Sequence, residues 1–296
     1  MQIPFLGELV ALLVSFCWAA SSSSFEIAGR KVGSLEVNVL RLIVAFLMLG
    51  VCGLFVRGAF LPTGAGVQQW VWLSVSGVIG FFLGDLCLFS ALTQVGARLT
   101  MLVMTFSPAL TVLIGFFLLG ESLTWIHLLG ILCIVLGILM AFFHRQKGGQ
   151  AKPVTVKGLL YALGGALGQS FGLIYSKKGI GHFDPFAATQ IRIIAGFACY
   201  AVLVTLLGSW RSLRVSVRDT PAMKWVVVGS FFGPGLGVGL SMMAITLTDT
   251  GIASALMSLT PLVLIVPNWL RGRRTSSWEI LGAFVSVLGV LTLFLL

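Results

Sequence analysis

Ten stretches of this sequence are each apolar over roughly the 20 residues that a helix needs to cross the hydrocarbon core of a bilayer. They cover residues 4–25, 35–56, 69–92, 98–118, 125–143, 157–177, 185–208, 222–247, 251–270 and 276–295. The breaks between them are short, so each stretch reads as a helix that crosses and turns back. Composition supports this reading. The 296 residues are 58% hydrophobic and 9% charged, whereas soluble domains carry about 25% charged residues. So few charges cannot cover a water-facing surface. Lipid as the outer solvent removes that need, provided every backbone polar group is satisfied inside a helix.

The net charge is +10, yet the Lys and Arg residues lie mostly in the gaps between apolar runs, with no aromatic-basic platform. They fit orientation in the membrane and contact with anionic headgroups, not nucleic-acid binding. Cys17, Cys52, Cys87, Cys133 and Cys199 all fall inside apolar runs and form no C-x-x-C pair. They read as small buried hydrophobes, without disulfide or metal roles. No Lys or Arg precedes the first apolar run. It therefore lacks the charged front of a secretory signal peptide and reads as a retained helix.

The most polar break, "HRQKGGQAKPVTVK" at 144–157, is basic and falls at mid-chain. It divides the chain into a five-helix unit, 1–143, a linker, 144–156, and a second five-helix unit, 157–296. The halves can be laid on one another. Gly7 matches Gly158 and Arg41 matches Arg192 at a spacing of 151. Trp72, Gly80, Gly84, Ala91 and Pro108 match Trp225, Gly233, Gly237, Ala244 and Pro261 at 153. Gly120, Gly130 and Gly137 match Gly272, Gly282 and Gly289 at 152. Arg, Trp and Pro in one order with the glycines point to an internal duplication. An odd number of helices per copy makes the second copy enter the membrane from the opposite face. The fold expected is an all-α polytopic membrane protein, ten transmembrane helices as two inverted five-helix repeats. Inverted repeats characterise transporters, whose solute site lies near the midplane between the copies.

The gaps after odd-numbered helices hold fourteen Lys and Arg residues, and those after even-numbered helices hold Arg57, Lys177 and Lys178. By the positive-inside rule the odd gaps are cytoplasmic and both termini face out. The expected location is a bacterial inner membrane, spanned many times.

"SPALTVLIGFFLLGESLTW" (107–125) followed by "LLGILCIVLGIL" (128–139) resembles the drug/metabolite transporter superfamily, EamA type, and the resemblance extends over nearly the whole chain. Pro108, Gly120, Glu121, Gly130 and Gly137 carry it in copy one, and Pro261, Gly272, Gly282 and Gly289 in copy two. Copy two departs from the pattern at Arg273, where copy one has Glu121. The resemblance implies secondary transport of small organic solutes, often export of amino acids or related metabolites. It also implies a central cavity lined by helices 1, 3, 4, 6, 8 and 9, with 5 and 10 at the flank. It implies cytoplasmic termini, which the charge count opposes; the count is followed.

Candidate site residues follow from polar groups inside apolar runs. Asp85 lies in "GFFLGDLCLFSAL" (80–92). A charge at a helix centre costs about 2.5–3.5 kcal/mol on insertion scales and so faces protein or water. Arg41 falls at similar depth in the second span. The pair reads either as a zwitterion-binding couple or as a fixed ion pair between helices 2 and 3. Copy two has Val238 at the position of Asp85, so the repeated scaffold does not itself need the acid. Arg192, the counterpart of Arg41, reads as a snorkelling end-of-helix arginine or as a gate partner of Asp249. In "WAASSSSF" (18–25), most of the serines read as small residues that allow close helix contact, while Trp18, Ser21, Ser22 and Phe25 share a helical face and form a candidate polar-aromatic wall. Gln169 matches Trp18 in copy two and is a candidate hydrogen-bonding residue, with Tyr175 beyond it. Thr105 and Thr260 sit close to Pro108 and Pro261, each of which frees a carbonyl and reads either as a broken helix where a transporter holds solute or as a kink that serves packing alone. Phe89, one turn beyond Asp85, completes the set. The expected substrate-binding residues are therefore Trp18, Ser22, Asp85, Phe89, Thr105, Gln169, Tyr175 and Thr260, and the gating or charge-pair residues Arg41, Arg192 and Asp249. Met101, Met104, Met242, Met243 and Met257 read first as packing.

His127, His144 and His182 lie near span ends, and no nucleophile motif, H-E-x-x-H or acidic metal cluster occurs. The expectation is no enzyme, no catalytic residue, no metal and no cofactor. The expected partners are the lipid bilayer and a small solute, with a coupling proton or ion and a homodimer left open, and no nucleic acid. A lipid or lipid-linked sugar flippase on the same fold is the nearest alternative.

Overall fold

The computed structural model describes residues 5–119, 124–147, 155–181, 183–247, 256–265 and 276–295. Among these there is no strand. The helices are α1 (Leu6–Val32), α2 (Ser34–Arg57), α3 (Val67–Val95), α4 (Ala97–Met104 continuing as Phe106–Leu119), α5 (Trp125–Lys147), α6 (Val156–Ile180), α7 (Pro185–Leu206), α8 (Thr220–Ser230, Phe231–Gly237 and Val238–Leu247), α9, described around Thr260–Val263, and α10 (Ser277–Leu295). α1, α2, α3, α7 and Thr220–Ser241 of α8 are long and apolar enough to cross a membrane, and Trp125–Met140 and Ser277–Thr292 are apolar over shorter lengths. α4 is interrupted at Thr105. α6 is long but rich in glycine, and Gly165, Gly168, Gly172 and Gly179 bring it against α3.

The outer surface is apolar. Phe16, Leu47, Phe55, Leu132, Val202 and Phe284 are all exposed. Polar side chains are instead buried, among them Asn38, Ser76, Ser170 and Gln190. This distribution fits lipid as the solvent.

Glycine contacts establish the inversion directly. A Cβ added at Gly137 would strike the Gly282 carbonyl, and one at Gly289 would strike the Gly130 carbonyl at 2.6 Å. Since Gly130 matches Gly282 and Gly137 matches Gly289, the two contacts are copies of each other, as across a two-fold axis. The partner of the later residue is the earlier one, so α5 and α10 run antiparallel. Equivalent helices running opposite ways are an inverted repeat.

Two further crossings repeat the relation. Where α3 meets α6, Gly84 lies on Gly168, Gly80 on Gly172 and Ser76 beside Ser176. Where α8 meets α1, Gly237 lies on Cys17, Gly233 on Ser21 and Gly229 on Phe25. Each contact in the second set is the first displaced by the repeat spacing. Even the hydrogen bond is preserved with its ends exchanged. Ser76 donates its hydroxyl to the Gly172 carbonyl at 2.6 Å, and Ser21 donates to the Gly229 carbonyl at 2.9 Å. Small residues at these crossings let the backbones approach, the usual device of membrane helices.

Contacts also sort the gaps between helices onto two faces. Glu26, near the end of α1, accepts the Ala97 N–H at the start of α4. Arg98 pairs with Glu279 at the start of α10. Glu36 at the start of α2 accepts the Ser212 hydroxyl. A Cβ at Gly158, at the start of α6, would meet Val95, at the end of α3. All these lie in or beside odd-numbered gaps. On the other face Arg57 meets Asp184 at 3.4 Å, and Gln190 donates to the Phe60 carbonyl at 2.8 Å.

The break between α7 and α8, read from sequence as a turn, contains a short helix, Trp210–Arg218. Leu213 and Ser216 are buried on one side, and Arg211, Arg214 and Arg218 are exposed.

Candidate functional site

Four irregular backbone segments surround one cavity, and they form two repeat-related pairs. α3 passes through a π-helical stretch at Val78–Gly84, and α8 through one at Phe231–Gly237, displaced by the repeat spacing of 153. π-helical turns occur mostly where a helix serves a function. Both stretches carry closely spaced glycines, Gly80 and Gly84 in the first and Gly233, Gly235 and Gly237 in the second, and Pro234 lies inside the second. α4 breaks at Thr105, before Pro108, and α9 turns at Ser258 and Leu259, before Pro261. Each proline lacks the N–H its helix needs. Pro261 leaves the Met257 carbonyl without its helical donor, and the Thr260 hydroxyl donates to it at 2.8 Å. The Thr105 hydroxyl donates to the Leu102 carbonyl at 2.6 Å.

The cavity these segments edge has a volume of about 260 Å³. At about 30 Å³ per water, that is room for roughly eight waters or a small organic molecule. Trp18, Ser21, Ser22 and Phe25 of α1 form one wall, and Phe81, Asp85 and Phe89 of α3 another. Met104, Thr105 and Pro108 of α4 face Met257, Thr260 and Pro261 of α9. α6 contributes Gln169 and Leu173, and α8 contributes Pro234, Val238 and Ser241. α5 and α10 contribute nothing, while α2 and α7 contribute one residue each, Arg41 and Arg192. The family resemblance does not anticipate those two.

Arg41 is held by several partners. Its Nη2 donates to the Asp85 carboxylate, forming a buried ion pair. Its Nε donates to Asn38 Oδ1 at 3.0 Å, and Asn38 Nδ2 donates to the Asp85 carbonyl at 3.1 Å. The Ser230 hydroxyl donates to the Arg41 carbonyl at 3.3 Å. The guanidinium lies 4.6 Å from the centre of the Phe89 ring and 5.7 Å from that of Phe81.

Arg192 is placed differently from either sequence reading. It does not reach outward to headgroups: it is only 6% exposed and faces the same cavity. Its guanidinium lies 4.4 Å from the centre of the Phe81 ring, so the repeat-related arginines both lie against Phe81. Its Nε has no hydrogen-bond partner, and among the described residues no carboxylate is within ion-pair distance. Asp249, its expected partner, lies outside the described residues.

Of the other candidates, Trp18, Ser22, Asp85, Phe89, Thr105, Gln169 and Thr260 all line the cavity. Tyr175 does not. It stacks on Trp72 at 5.8 Å, with the Lys178 ammonium 5.1 Å from the indole. Gln169 and Leu173 occupy the cavity-facing side of α6, and Tyr175 is turned off that side by the helical period. Other serines of α1 bond locally: Ser22 donates to the Ala19 carbonyl at 3.2 Å and Ser24 to the Ala20 carbonyl at 2.7 Å. Phe81 and Asn38 are missing from the sequence reading. Both were within its reach, one helical turn before Asp85 and Arg41 respectively and therefore on the same faces. Among the described residues no group of His, Cys, Asp and Glu side chains is arranged to hold a metal.

A duplicated, inverted helical bundle with a largely apolar cavity carrying a few polar and charged groups between its halves fits a membrane transporter of small solutes. The chain belongs to the EamA-like transporter family, whose model matches it twice, at residues 5–143 and 156–295. It is 26% identical to the uncharacterized transporter YyaM of Bacillus subtilis over 74% of this chain and 71% of that protein. The threonine/homoserine exporter RhtA of Salmonella typhimurium is 28% identical over 53% of this chain, about half (52%) of the exporter's length. A chloroplastic WAT1-related protein of Arabidopsis thaliana is 24% identical over 97% of this chain and 69% of its own. A solved structure, described only as a crystal structure of a protein, shares the fold with a TM-score of 0.68 at 21% identity, over 97% of this chain and 95% of that one.

Proposed function

We propose that this protein exports an amino acid or a related small metabolite across a bacterial inner membrane by alternating access, with its odd-numbered gaps in the cytoplasm. The observation carrying this reading is the cavity bracketed by two repeat-related pairs of backbone breaks. Helices already interrupted at the midplane can rock without losing further hydrogen bonds, and they hold solute at the pivot. The names of the Salmonella relatives support amino-acid export, and the volume of about 260 Å³ suits a solute of that size. Asp85 is a candidate for proton coupling, being the one acid that lines the cavity among the described residues.

The test is a counterflow screen in proteoliposomes with amino acids, nucleobases and polyamines, preceded by a melting screen of the purified protein. A ligand that binds only the folded state raises the melting temperature without any assumption about transport direction. Accumulation of a labelled amino acid against unlabelled internal solute is expected. Movement of none of the solutes would remove the reading.

Lipid flipping is the second reading, and one feature favours it. An apolar groove of about 740 Å³ runs on the far side of α1 between Phe16, Ala20, Trp225 and Val263. α1 separates this groove from the central cavity. Fluorescent-lipid translocation in the same proteoliposomes, without solute counterflow, would favour flipping.

A further inference from the structure

We infer that Arg192 anchors the carboxylate of the transported solute, so that the protein selects organic acids and rejects their neutral analogues. The inference rests on the transport reading and assigns its specificity to one residue.

The argument begins with the asymmetry of the repeats. Arg41 and Arg192 are equivalent, and their backbones are held equivalently. Ser230 of α8 touches the Arg41 carbonyl, and its counterpart Gly77 of α3 lies against the Arg192 carbonyl. The surroundings of the two guanidinium groups are not equivalent. Copy one supplies Asp85 to neutralise Arg41. Copy two supplies Val238 at the matching position, and Val238 lines the cavity. Among the described residues one arginine is answered by a carboxylate and the other faces the cavity.

A buried charge without a partner is costly, because the desolvation penalty of several kcal/mol is not repaid. A structural arginine would be expected to find a carboxylate, as Arg41, Arg57 and Arg98 do. Among the described residues Arg192 has only the Phe81 ring face. Its Nε is buried and unpartnered. Guanidinium geometry matches a carboxylate through two parallel N–H···O bonds. Gly80 keeps the approach clear: a Cβ there would come within 3.3 Å of Arg192 Nη2. Phe81 supports the guanidinium from the α3 side. Gln169 and Leu173 on α6 line the same space, which leaves one polar and one apolar contact for the rest of the solute.

The test uses the wild-type chain and matched probes. Threonine, leucine and phenylalanine are each compared with the corresponding amide and amino alcohol, by melting shift and by counterflow. A charge-assisted hydrogen bond contributes about 1.5–3 kcal/mol. The acids should therefore bind at least about tenfold more tightly than their neutral analogues. In R192Q that ratio should fall to about one, and in R192K it should be partly retained. A structural role for Arg192 would alter the melting temperature of the variants but not the acid-to-amide ratio of the wild type. Equal binding of acid and amide by the wild type would overturn the inference and leave the transport reading intact. If no member of the panel binds or moves, both fall. Because the ratio is measured first on the unaltered protein, a variant that does not fold leaves the result decided.

Discussion

Arg41 donates to the Asp85 carboxylate inside the bundle, and Asn38 bonds to both residues, taking the Arg41 Nε–H at 3.0 Å and donating to the Asp85 carbonyl at 3.1 Å. α2 and α3 are thus joined by a three-residue network that also forms part of the cavity wall. Removing one member of a buried pair leaves the other charged and unanswered, at a cost of about 3–5 kcal/mol. D85A and R41A should each lower the thermal midpoint strongly, and the double variant should be better tolerated than the sum of the singles. A coupling energy of about 1–3 kcal/mol is expected. Simple additivity in thermal or denaturant unfolding would mean that the pair does not act as a unit. D85N retains an acceptor for Arg41, so it should melt closer to wild type than D85A while transporting poorly.

The Gly84–Gly168 contact predicts a different kind of damage. A Cβ at Gly168 would run into the Gly84 backbone, which cannot rotate away as a side chain can. G168A should separate α3 from α6 and lower stability by about 1–3 kcal/mol, the range for overpacking. G58A is the control. Gly58 has φ near 70° but nothing within 4 Å of its added Cβ, so only the strain of a left-handed residue remains, about 1–2 kcal/mol. G168A should also reduce transport, because α3 carries Phe81 and Asp85. G58A should leave transport unchanged, and paired melting and counterflow measurements separate the two.

Thr260 offers a test of the broken helix. Its hydroxyl serves the carbonyl that Pro261 leaves free in α9. T260V keeps the shape and removes the donor, leaving a buried carbonyl unsatisfied at about 1–3 kcal/mol. T260S should restore most of the loss. Melting temperatures in the order wild type, T260S, T260V are expected; equal values for all three would show that water or solute serves the carbonyl instead.

Much of this architecture is legible in the sequence because hydropathy and repeat spacing are both one-dimensional. Arg41 with Arg192, Trp72 with Trp225 and Pro108 with Pro261 suffice to align the copies, and inversion follows from five helices in each. The cavity wall of α1 is legible because Trp18, Ser21, Ser22 and Phe25 obey the helical period. The π-helical stretches at Val78–Gly84 and Phe231–Gly237 are not. Glycines and Pro234 loosen the helix there, but glycines recur throughout these spans at packing contacts, so they do not mark where the hydrogen bonding changes from four to five residues. Tyr175 was placed near Gln169 by proximity in sequence, but the helical period carries it to Trp72. Arg192 was read from the chemistry of span ends, which cannot show that its side chain turns inward. The helix Trp210–Arg218 was missed because its arginines made the gap look like a loop, although their spacing leaves Leu213 and Ser216 on the opposite side.

Orientation is open to a direct measurement, because the contacts already divide the gaps between two faces. Glu26 with Ala97, Glu36 with Ser212, and Arg98 with Glu279 gather the odd gaps on one side. Arg57 with Asp184 marks the other. The odd face carries Arg30, Lys31, Lys157 and Arg211, while Lys177 and Lys178 lie at the end of α6 toward the even face. On the proposed orientation, which follows the positive-inside rule, the odd face lies in the cytoplasm. In a variant freed of its five native cysteines, K157C and S212C should resist a membrane-impermeant thiol reagent added to intact cells and react after permeabilisation. G181C, on the even face, should react from outside, since nothing lies within 4 Å of its Cβ position. The opposite pattern at all three positions would invert the topology and, with it, the direction assigned to export. A mixed pattern would mean that a helix has been miscounted.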